Sequence, residues 1–467
     1  MGRQKPSGKQ EEWQHGFLFR QGRGPVILSL GQIRAARCCI LYYLSMPVPP
    51  AQPGVLSFED ARRAVEEQAA QVPVPATETV SLLDGAGRVL AQPILADRDL
   101  PPFPRSTRDG FAVRSADLST LPAMLDVIGE IKAGADASSI PALMRSGQAL
   151  SIMTGAPLPA GADAVVMVEY TSRHDDRAEI TKSTARGENV VPRGAEAAEG
   201  SLLVDRGVRM NEAAIALAAS VGKSQLEVYR RPRIAVLTTG DEIVDIEVTP
   251  GPTQIRNSNS YSLAAQIRQA GGEAILLPIA PDEPQKLRKL IEEGLNHDLL
   301  LLTGGVSMGR YDLVEQVLSE LCAEFFFTGA KIQPGRPVVF GRCVASAGIP
   351  TEERAPTYFF GLPGNPVSTM VTFELLARAM IEASAGQGPR QLRFLHARLK
   401  SEIRVKTGLT RFLPAILSGE FEHSQIELVA WQGSGDIAAT ARANCYAVIP
   451  PDREHIPAGE WVSVLMR

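Results

Sequence analysis

Three acidic residues, Glu242, Asp282 and Asp312, each follow an apolar run typical of a buried parallel strand. Ligands bind at the carboxyl ends of such strands, so we expect the three carboxylates to meet at one edge of a sheet. Carboxylates that meet repel each other unless a cation or protons intervene, which favours a metal site, most simply one for Mg²⁺, beside a phosphate. The alternative is three independent helix caps, and Asp282 in Pro-Asp-Glu-Pro suits that alternative well. The three apolar runs are Ile234–Leu237, Glu273–Ile279 and Leu299–Leu302.

The loop after the third run consists of small residues and leads into a helical pattern. It reads Thr-Gly-Gly from Thr303 to Gly305, with Ser307 close behind, and Asp312 then starts a capping box with Glu315. A strand that runs into such a loop leaves backbone N–H groups unpaired at the positive end of a helix dipole, which suits a bound anion. Capping alone explains Asp312 about as well, so both explanations stay open.

Two more turns in this part of the chain offer contacts to a ligand. Gly364 lets the backbone approach closely, and Asn365-Pro366 is a helix cap followed by proline at the first helical position. The stiff turn Gln333–Pro337 presents Arg336, a candidate contact for a phosphate. A plain turn and a solvated arginine are the alternatives.

Two constrained loops lie in an earlier, β-rich part of the chain. The first places the Ser106 hydroxyl, the Arg108 cation and the Asp109 carboxylate within four residues. In the second, an apolar strand ends at Thr154, directly before a glycine. Ordinary turn chemistry explains Asp109 before Gly110 about as well as a binding role does.

Composition bounds the class of protein. The chain has 467 residues, which predicts two to four domains, and its 44% hydrophobic and 21% charged content is that of a globular protein. A net charge of −4 predicts no nucleic-acid binding, and no apolar run is long enough to predict a membrane span. Five scattered cysteines favour a reducing cytoplasm, and the spacing of six scattered histidines argues against a zinc site.

The first 52 residues are assigned no function. Met46 is followed by a proline-rich stretch and then by a convincing helix, so we expect translation to begin at Met46. A disordered or targeting extension is the alternative, although the compact regions of a secretory signal are missing.

Hydrophobic periodicity divides the rest of the chain into three parts. After a helix over 57–71, short β segments run from 111 to 208, and a helix follows over 211–221. Strands and helices alternate from 232 to 383, which predicts a doubly wound parallel sheet whose last helix is Pro366–Ala383. Residues 344–357 are predicted to be a loop insertion. From 391 to 467 the pattern is β with no helix signal, which predicts a small C-terminal β-domain.

Taken together, the motifs resemble the molybdopterin molybdotransferase family, whose eukaryotic relative is the C-terminal domain of gephyrin. Each motif is weak to moderate, but six in the family's order over roughly residues 53–467 are highly specific. The matching pieces are Ser106–Arg114, Ile152–Pro159, Thr239–Ile243, Thr303–Asp312, Gln333–Pro337 and Gly361–Ser368.

The resemblance implies a subunit of four parts and a homodimer. The parts would be a helical and linker segment (53–76 and 194–224), a β-rich domain (77–193), an α/β molybdopterin-binding domain (229–385) and a C-terminal β-barrel-like domain (388–467). In the implied dimer, the β-rich domain of one subunit faces the α/β domain of the other. The loops that hold Asp109 and Thr154 would then complete a site across the dimer.

The resemblance also implies a reaction, the insertion of molybdate into adenylylated molybdopterin with Mg²⁺-assisted release of AMP. A molybdopterin adenylyltransferase would supply the substrate, and molybdoenzymes would accept the product. The implied catalytic residues are Asp109, Thr154, Glu242, Asp282 and Asp312, of which Glu242, Asp282 and Asp312 would handle metal and pyrophosphate. The expected substrate contacts are Ser106, Gly240, Thr303, Gly304, Gly305, Ser307, Arg336, Pro363, Gly364, Asn365 and Pro366.

Departures from the family pattern and rival functions leave some points open. Arg108 stands where the family commonly has Met, and Gln333 stands where a Lys is frequent. A carrier or scaffold that binds molybdopterin without turnover is the main alternative, but such a protein would be expected to lose the acids that this chain keeps. Tungstate in place of molybdate also stays open, because the two oxyanions are alike in size and charge.

Overall fold

The computed structural model describes residues 54–135, 143–305, 313–343, 356–388 and 391–467. Two predicted site residues, Ser307 and Asp312, lie outside these ranges, as do residues 344–355 of the predicted insertion and the N-terminal residues up to 52. Within the described ranges, no helix is long and apolar enough to cross a membrane.

The first helix, Phe58–Ala69, starts where the sequence predicts, because the Ser57 hydroxyl accepts a hydrogen bond from the Asp60 backbone N–H at 3.0 Å. Its buried face belongs to the same hydrophobic core as helical residues 375–381. Just before it, Val55–Leu56 pairs in parallel with Gly329–Ala330. The helix therefore packs on the α/β region, whose first strand begins only at Arg233.

A six-stranded mixed sheet forms most of the β-rich region. The loops of Asp109 and Thr154 lie at the ends of two neighbouring, antiparallel strands of this sheet, since Gly110 pairs with Ile152. Residues 115–118 and 168–170 are single 3₁₀ turns. In spatial order the strands are Ala164–Met167, Gly110–Val113, Gln148–Ile152, Ala123–Ile131, Arg177–Ile180 and Thr171–His174.

Short strand pairs connect distant parts of the chain outside that sheet. Leu202–Val204, which the pattern assigns to the β-rich region, pairs with Ile94–Leu95 and not with the six-stranded sheet. Helix Glu212–Ser220, which is capped by Asn211, packs on this strand pair. The predicted domain boundaries stay predictions. The other pairs are Thr77–Ser81 with Gln225–Tyr229 and Arg105–Ser106 with Val190–Val191.

The α/β region contains a second six-stranded sheet, whose elements are numbered here from its first strand. The elements are β1 (Arg233–Thr238), α1 (Asn259–Ala270), β2 (Glu273–Leu276), α2 (Pro284–Gly294), β3 (Leu299–Thr303), α3 (Leu313–Glu320), β4 (Ala323–Phe327), β5 (Val339–Cys343), β6 (Thr357–Leu362), α4 (Pro366–Thr372) and α5 (Arg378–Ser384). Their spatial order is β2-β1-β3-β6-β5-β4. All five residues of β3 are buried, and alternate residues of β1 face two different cores, so helices cover both sides of the sheet.

Two details of this sheet differ from the predicted one. The first four strands in space are parallel, but β5 runs antiparallel to both of its neighbours, β6 and β4, so the sheet is mixed. The predicted helix Pro366–Ala383 is interrupted, because Phe373–Ala377 forms a π-helical turn between α4 and α5. Hydrophobic periodicity encodes neither the direction of a strand nor a local change of hydrogen-bond pattern within a helix.

The C-terminal region is a closed barrel of five strands. The prediction of no helix there was wrong, because Ile437–Arg442 is a short helix whose N-cap Asp436 accepts from the Ala439 N–H at 2.9 Å. Residues 421–423 add a 3₁₀ turn, and Ile403–Arg404 pairs with His455–Ile456. In ring order the strands are Thr410–Ser418, Gln425–Leu428, Phe394–Leu399, Trp461–Met466 and Cys445–Ile449.

Candidate functional site

The site is assembled where the loop that follows β1 folds back on itself. Ile243–Val244 and Ile255–Arg256 form a two-residue parallel pairing within this loop. The Glu242 carbonyl oxygen accepts from the Ile255 N–H at 2.9 Å. This pairing carries Arg256 and the start of α1 to the same edge of the sheet as Glu242.

A cavity of about 370 Å³ lies at the carboxyl ends of β1, β3 and β6. Its position matches the rule for ligand sites in open α/β sheets, and its volume is that of a small-ligand site. Eight predicted site residues line it: Glu242, Thr303, Gly304, Gly305, Pro363, Gly364, Asn365 and Pro366. Their placement agrees with the sequence-based expectation, while their roles stay predictions.

Buried hydrogen bonds fix the loops around this cavity. The Asn259 side-chain amide Nδ2 donates to the Thr303 hydroxyl oxygen at 2.9 Å and to the Gly364 carbonyl at 2.7 Å. The Thr303 hydroxyl donates to the Pro363 carbonyl at 3.2 Å, and the Thr369 hydroxyl donates to the same carbonyl at 2.5 Å. The loops after β3 and β6 are therefore tied to the first residue of α1.

Gly304 must be glycine because its backbone lies very close to another part of the backbone, and Gly240 must be glycine because its φ is +137°. A Cβ atom on Gly304 would lie 2.4 Å from the Thr239 carbonyl oxygen, and the φ of Gly304 is +89°. A Cβ atom on Gly240 would lie 2.6 Å from Oε2 of Glu242. The Glu242 carboxylate thus lies against the backbone of Gly240.

Asp282 lies beside two other carboxylates at this edge. Its backbone N–H donates to Asp241 Oδ1 at 3.1 Å. Partial burial, followed by the negative charges of Asp241 and Glu242, raises the pKa of the Asp282 carboxyl above its ordinary value. Asp282 does not cap α2, because the cap position belongs to Glu283, whose side chain makes no capping hydrogen bond. Helix capping therefore does not explain this acid.

These acids do not form a complete metal cage within the described residues. No group of three or more His, Cys, Asp or Glu side chains in the described ranges comes together closely enough to hold a metal ion. Asp312, the third predicted ligand, falls in the undescribed stretch 306–312. Mg²⁺ needs only one or two protein carboxylates when waters and phosphate oxygens fill its remaining positions. The donor set Glu242 and Asp282, whose charges repel, fits such a partial site.

Asp109 and Thr154 form a separate unit that does not line the cavity. Both the backbone N–H and the hydroxyl of Thr154 donate to Asp109 Oδ1, at 2.6 and 2.8 Å. Because of the backbone hydrogen bond first and the hydroxyl second, the pKa of the Asp109 carboxyl is lowered. The Ser106 hydroxyl donates to the Arg108 carbonyl at 2.6 Å, which tightens the turn that presents Asp109.

Arg336, the predicted phosphate contact, is exposed and lies outside the cavity lining, although its neighbour Pro337 is part of it. Arg256 lines the cavity instead, and the sequence reading missed it. The Arg256 Nε donates to the carbonyls of Ile246 and Val248 at 3.0 and 3.2 Å, which holds the guanidinium in place. Asn257, Ser258 and Asn259 were missed as well. The available signal was Ser258, a residue type common at helix starts, in the loop that follows a sheet strand.

Comparison with known families gives three matches in chain order. Residues 56–222 match the profile described as "MoeA N-terminal region (domain I and II)". Residues 235–383 match the "Probable molybdopterin binding domain", and residues 396–466 match the "MoeA C-terminal region (domain IV)". The cavity lies within the second match.

Curated relatives match over most of their length. A molybdopterin molybdenumtransferase from a Nostoc species is 35% identical over 399 residues, covering 83% of this chain and 88% of the relative. Molybdopterin molybdenumtransferase 1 of Mycobacterium tuberculosis is 32% identical over 435 residues, covering 86% and 98%.

A solved molybdopterin biosynthesis moeA protein from Pyrococcus horikoshii is 32% identical, with a TM-score of 0.64 over 88% of this chain and 99% of that one. A second structure from that organism gives a TM-score of 0.69 at 25% identity. The fold and the cavity thus define a multidomain protein built around a molybdopterin-binding domain. The chain belongs to the molybdopterin molybdenumtransferase family. It is a transferase with a role in molybdenum cofactor biosynthesis.

Proposed function

We propose that this transferase inserts molybdate into adenylylated molybdopterin and releases AMP in a Mg²⁺-dependent reaction. The observation that carries the proposal is the pairing of two features at one sheet edge. A cavity suited to an anion, formed by glycine loops and the start of α1, adjoins Asp282, whose pKa is raised first by burial and then by the charges of two neighbouring carboxylates. Carboxylates beside a phosphate site are the arrangement that a divalent cation stabilises.

Glu242 and Asp282 are the described residues that would hold Mg²⁺. When bound, the ion would neutralise charge on the pyrophosphate that is cleaved. Arg256 supplies a fixed positive charge at the cavity wall, and backbone N–H groups of the glycine loop are suited to phosphate oxygens. The loop at Pro363 forms the part of the wall next to the start of α1.

The Asp109–Thr154 pair is proposed to act on the same substrate from a second copy of the chain. Within one chain the pair does not line the cavity. Within one chain, the Thr154 hydroxyl donates its hydrogen bond to the Asp109 carboxylate. Together with the Thr154 backbone N–H, this bond orients the carboxylate and favours its ionised form. A homodimer would bring this anionic pair to the site. An adenylyltransferase as donor, molybdoenzymes as acceptors and a cytoplasmic location remain predictions.

The direct test follows AMP release from adenylylated molybdopterin by the purified protein, with and without molybdate and Mg²⁺. We expect release that needs both, and at least about a tenfold loss in Glu242→Gln, Asp282→Asn and Asp312→Ala. Glu283→Gln is the matched control. It removes the carboxylate directly after Asp282, which forms an ion pair with Lys286.

Two results would count against the proposal. Tight binding of the adenylylated substrate with no turnover under any ionic condition would favour a carrier. Molybdate-independent release at the full rate would show a hydrolase activity that does not need the metal-insertion step.

A further inference from the structure

The loop between β1 and α1 forms a flap (residues 243–256) that hydrogen bonds hold at the edge of the sheet. The Ile255 N–H donates to the Glu242 carbonyl at 2.9 Å, and the parallel pairing of Ile243 with Ile255 closes the flap. The Arg256 Nε donates to two further carbonyls of the flap, at 3.0 and 3.2 Å. The backbone at Ile255 is therefore fixed beside the cavity.

Ile255 presents a large apolar side chain to the open cavity. The residue is 58% exposed and lines the cavity, as does the partly buried Ile243. Because its Cβ is branched, the side chain has few rotamers, so covering it costs little conformational entropy. Ligand pockets are lined mainly by apolar side chains, with a few polar groups that fix the orientation of the ligand. Ile255 is thus a preformed apolar contact that a ligand in the cavity can reach.

Two other apolar side chains of the flap are exposed without lining the cavity. Ile246 is 42% exposed and Val248 is 47% exposed, but neither belongs to the cavity wall. Their backbone carbonyls, not their side chains, accept the hydrogen bonds from Arg256. Shortening the Ile246 side chain therefore leaves those bonds in place, which makes Ile246 a matched control for Ile255.

The wall of the cavity combines a polar part with an apolar part. The polar part contains the glycine loop Gly304–Gly305 and the start of α1, whose N–H groups suit phosphate oxygens. The apolar part contains Ile243, Ile255 and Pro337. A ligand with its phosphate at the glycine loop is therefore offered an apolar surface for an uncharged group.

We propose that Ile255 is a specificity-determining contact that packs against the flat face of a fused nitrogen heterocycle of the ligand. This inference rests on the proposed function and adds the residue that recognises the ring. Adenylylated molybdopterin carries two such rings, the pterin and the adenine. An aliphatic side chain covers the apolar face of either ring and leaves the polar ring edge to other groups.

The test uses pairs of ligands that share a phosphate and differ in the ring. Dissociation constants are measured by calorimetry with Mg²⁺ present, for AMP against ribose 5-phosphate and for a 6-phosphooxymethyl pterin against methyl phosphate. We expect the ring ligand of at least one pair to bind wild-type protein about tenfold or more tightly than its ringless partner.

Three variants separate a contact to the ring from a general effect on the flap. Ile255→Ala should weaken binding of the ring ligand about fivefold or more and leave binding of the ringless ligand unchanged. Ile255→Leu keeps an apolar side chain of the same size, so it should keep the preference of the wild type. Ile246→Ala, the matched control, should keep it as well. The pair whose preference falls in Ile255→Ala identifies the ring that is recognised.

The outcome for the ring preference is separate from the outcome for the proposed function. The inference would be overturned if wild-type protein showed no preference in either pair, or if Ile255→Ala kept the full preference. Equal weakening of both members of a pair in Ile255→Ala, or an equal loss in Ile246→Ala, would also overturn it, because the effect would then be on the flap as a whole. All of these results leave the proposed function standing, whereas failure of wild-type protein to bind any of the four ligands would contradict both.

Discussion

Asp109 and Thr154 are joined by two hydrogen bonds to one carboxylate oxygen, from the Thr154 backbone N–H at 2.6 Å and from its hydroxyl at 2.8 Å. They lie 45 positions apart in the sequence and meet because their loops end neighbouring antiparallel strands. Since both donors stabilise the ionised carboxylate, the pKa of Asp109 is lowered, with the backbone N–H the larger cause. The pair is thus a fixed negative charge at the ends of two inner strands of the β-rich sheet.

Removing the Thr154 hydroxyl should raise the pKa of Asp109 only part of the way to its ordinary value. Thr154→Val keeps the backbone N–H, the larger cause, and loses the smaller one, whereas Thr154→Ser keeps both and serves as the control. The carboxyl ¹³C signal of Asp109, followed by NMR against pH, measures this directly. An unchanged titration in Thr154→Val would show that the hydroxyl bond is absent in solution.

The same pair makes a prediction about stability and pH. A carboxyl whose folded pKa is lowered contributes stability above its unfolded pKa, and loses that contribution as the pH falls through the folded value. The difference in Tm between wild type and Asp109→Asn should therefore be largest near neutral pH and shrink below about pH 3.8. A difference that grows on acidification would contradict this assignment.

Asp282 should behave in the opposite way, because burial and two neighbouring carboxylates raise its pKa. Its charged form opposes folding, so Asp282→Asn should raise the Tm near neutral pH by about 1–2 °C, an effect that fades as the pH falls through the raised pKa of the wild-type carboxyl. Millimolar Mg²⁺ should stabilise wild type more than the variant, as seen by differential scanning calorimetry. A lower Tm for Asp282→Asn without Mg²⁺ would show that the carboxylate is instead structurally paired.

Gly304 and Gly364 lie side by side in the cavity wall but should respond differently to an added methyl group. Gly304→Ala meets a carbonyl oxygen at 2.4 Å with φ at +89°, so we expect it to lose roughly 1–3 kcal/mol of stability and most activity. In Gly364→Ala the new Cβ would lie 3.5 Å from Gly304 Cα and 3.9 Å from Gly304 N, which are ordinary contacts. Denaturant unfolding of both variants measures the contrast, and equal losses would contradict the tight packing of Thr239 on Gly304.

The strongly patterned elements of the fold could be predicted from the sequence. The apolar run at Leu299 gives a fully buried strand, and Ser57 and Asn211 cap helices near the predicted positions. The pattern could not show that Ile94–Leu95 pairs with Leu202–Val204, because no local signal links segments 100 residues apart. The helix that starts after Asp436 was missed because its six residues are too few to show a period.

The candidate site was predicted where residues follow strands directly, and missed where a long loop intervenes. Thr303, Gly304 and Pro363 come within one residue of a strand end, so the topology alone places them at the cavity. Arg256 comes 18 residues after β1 and reaches the wall only through the Ile243–Ile255 pairing. The exposed position of Ile255 at the cavity depends on the same pairing, which no sequence pattern records.

If the Asp109–Thr154 pair acts on the cavity of a second copy, two inactive variants should restore activity in a mixed dimer. Asp109→Ala damages one half of the proposed composite site and Asp282→Asn the other, so a heterodimer of the two contains one intact site. Co-expression with two different affinity tags and sequential purification should give about half of the wild-type rate of AMP release. A heterodimer of Glu242→Gln and Asp282→Asn, whose substitutions fall in the same half, has no intact site and should stay inactive. Inactivity of the first heterodimer would show that each site is completed within one chain, by movement of the β-rich sheet toward the cavity.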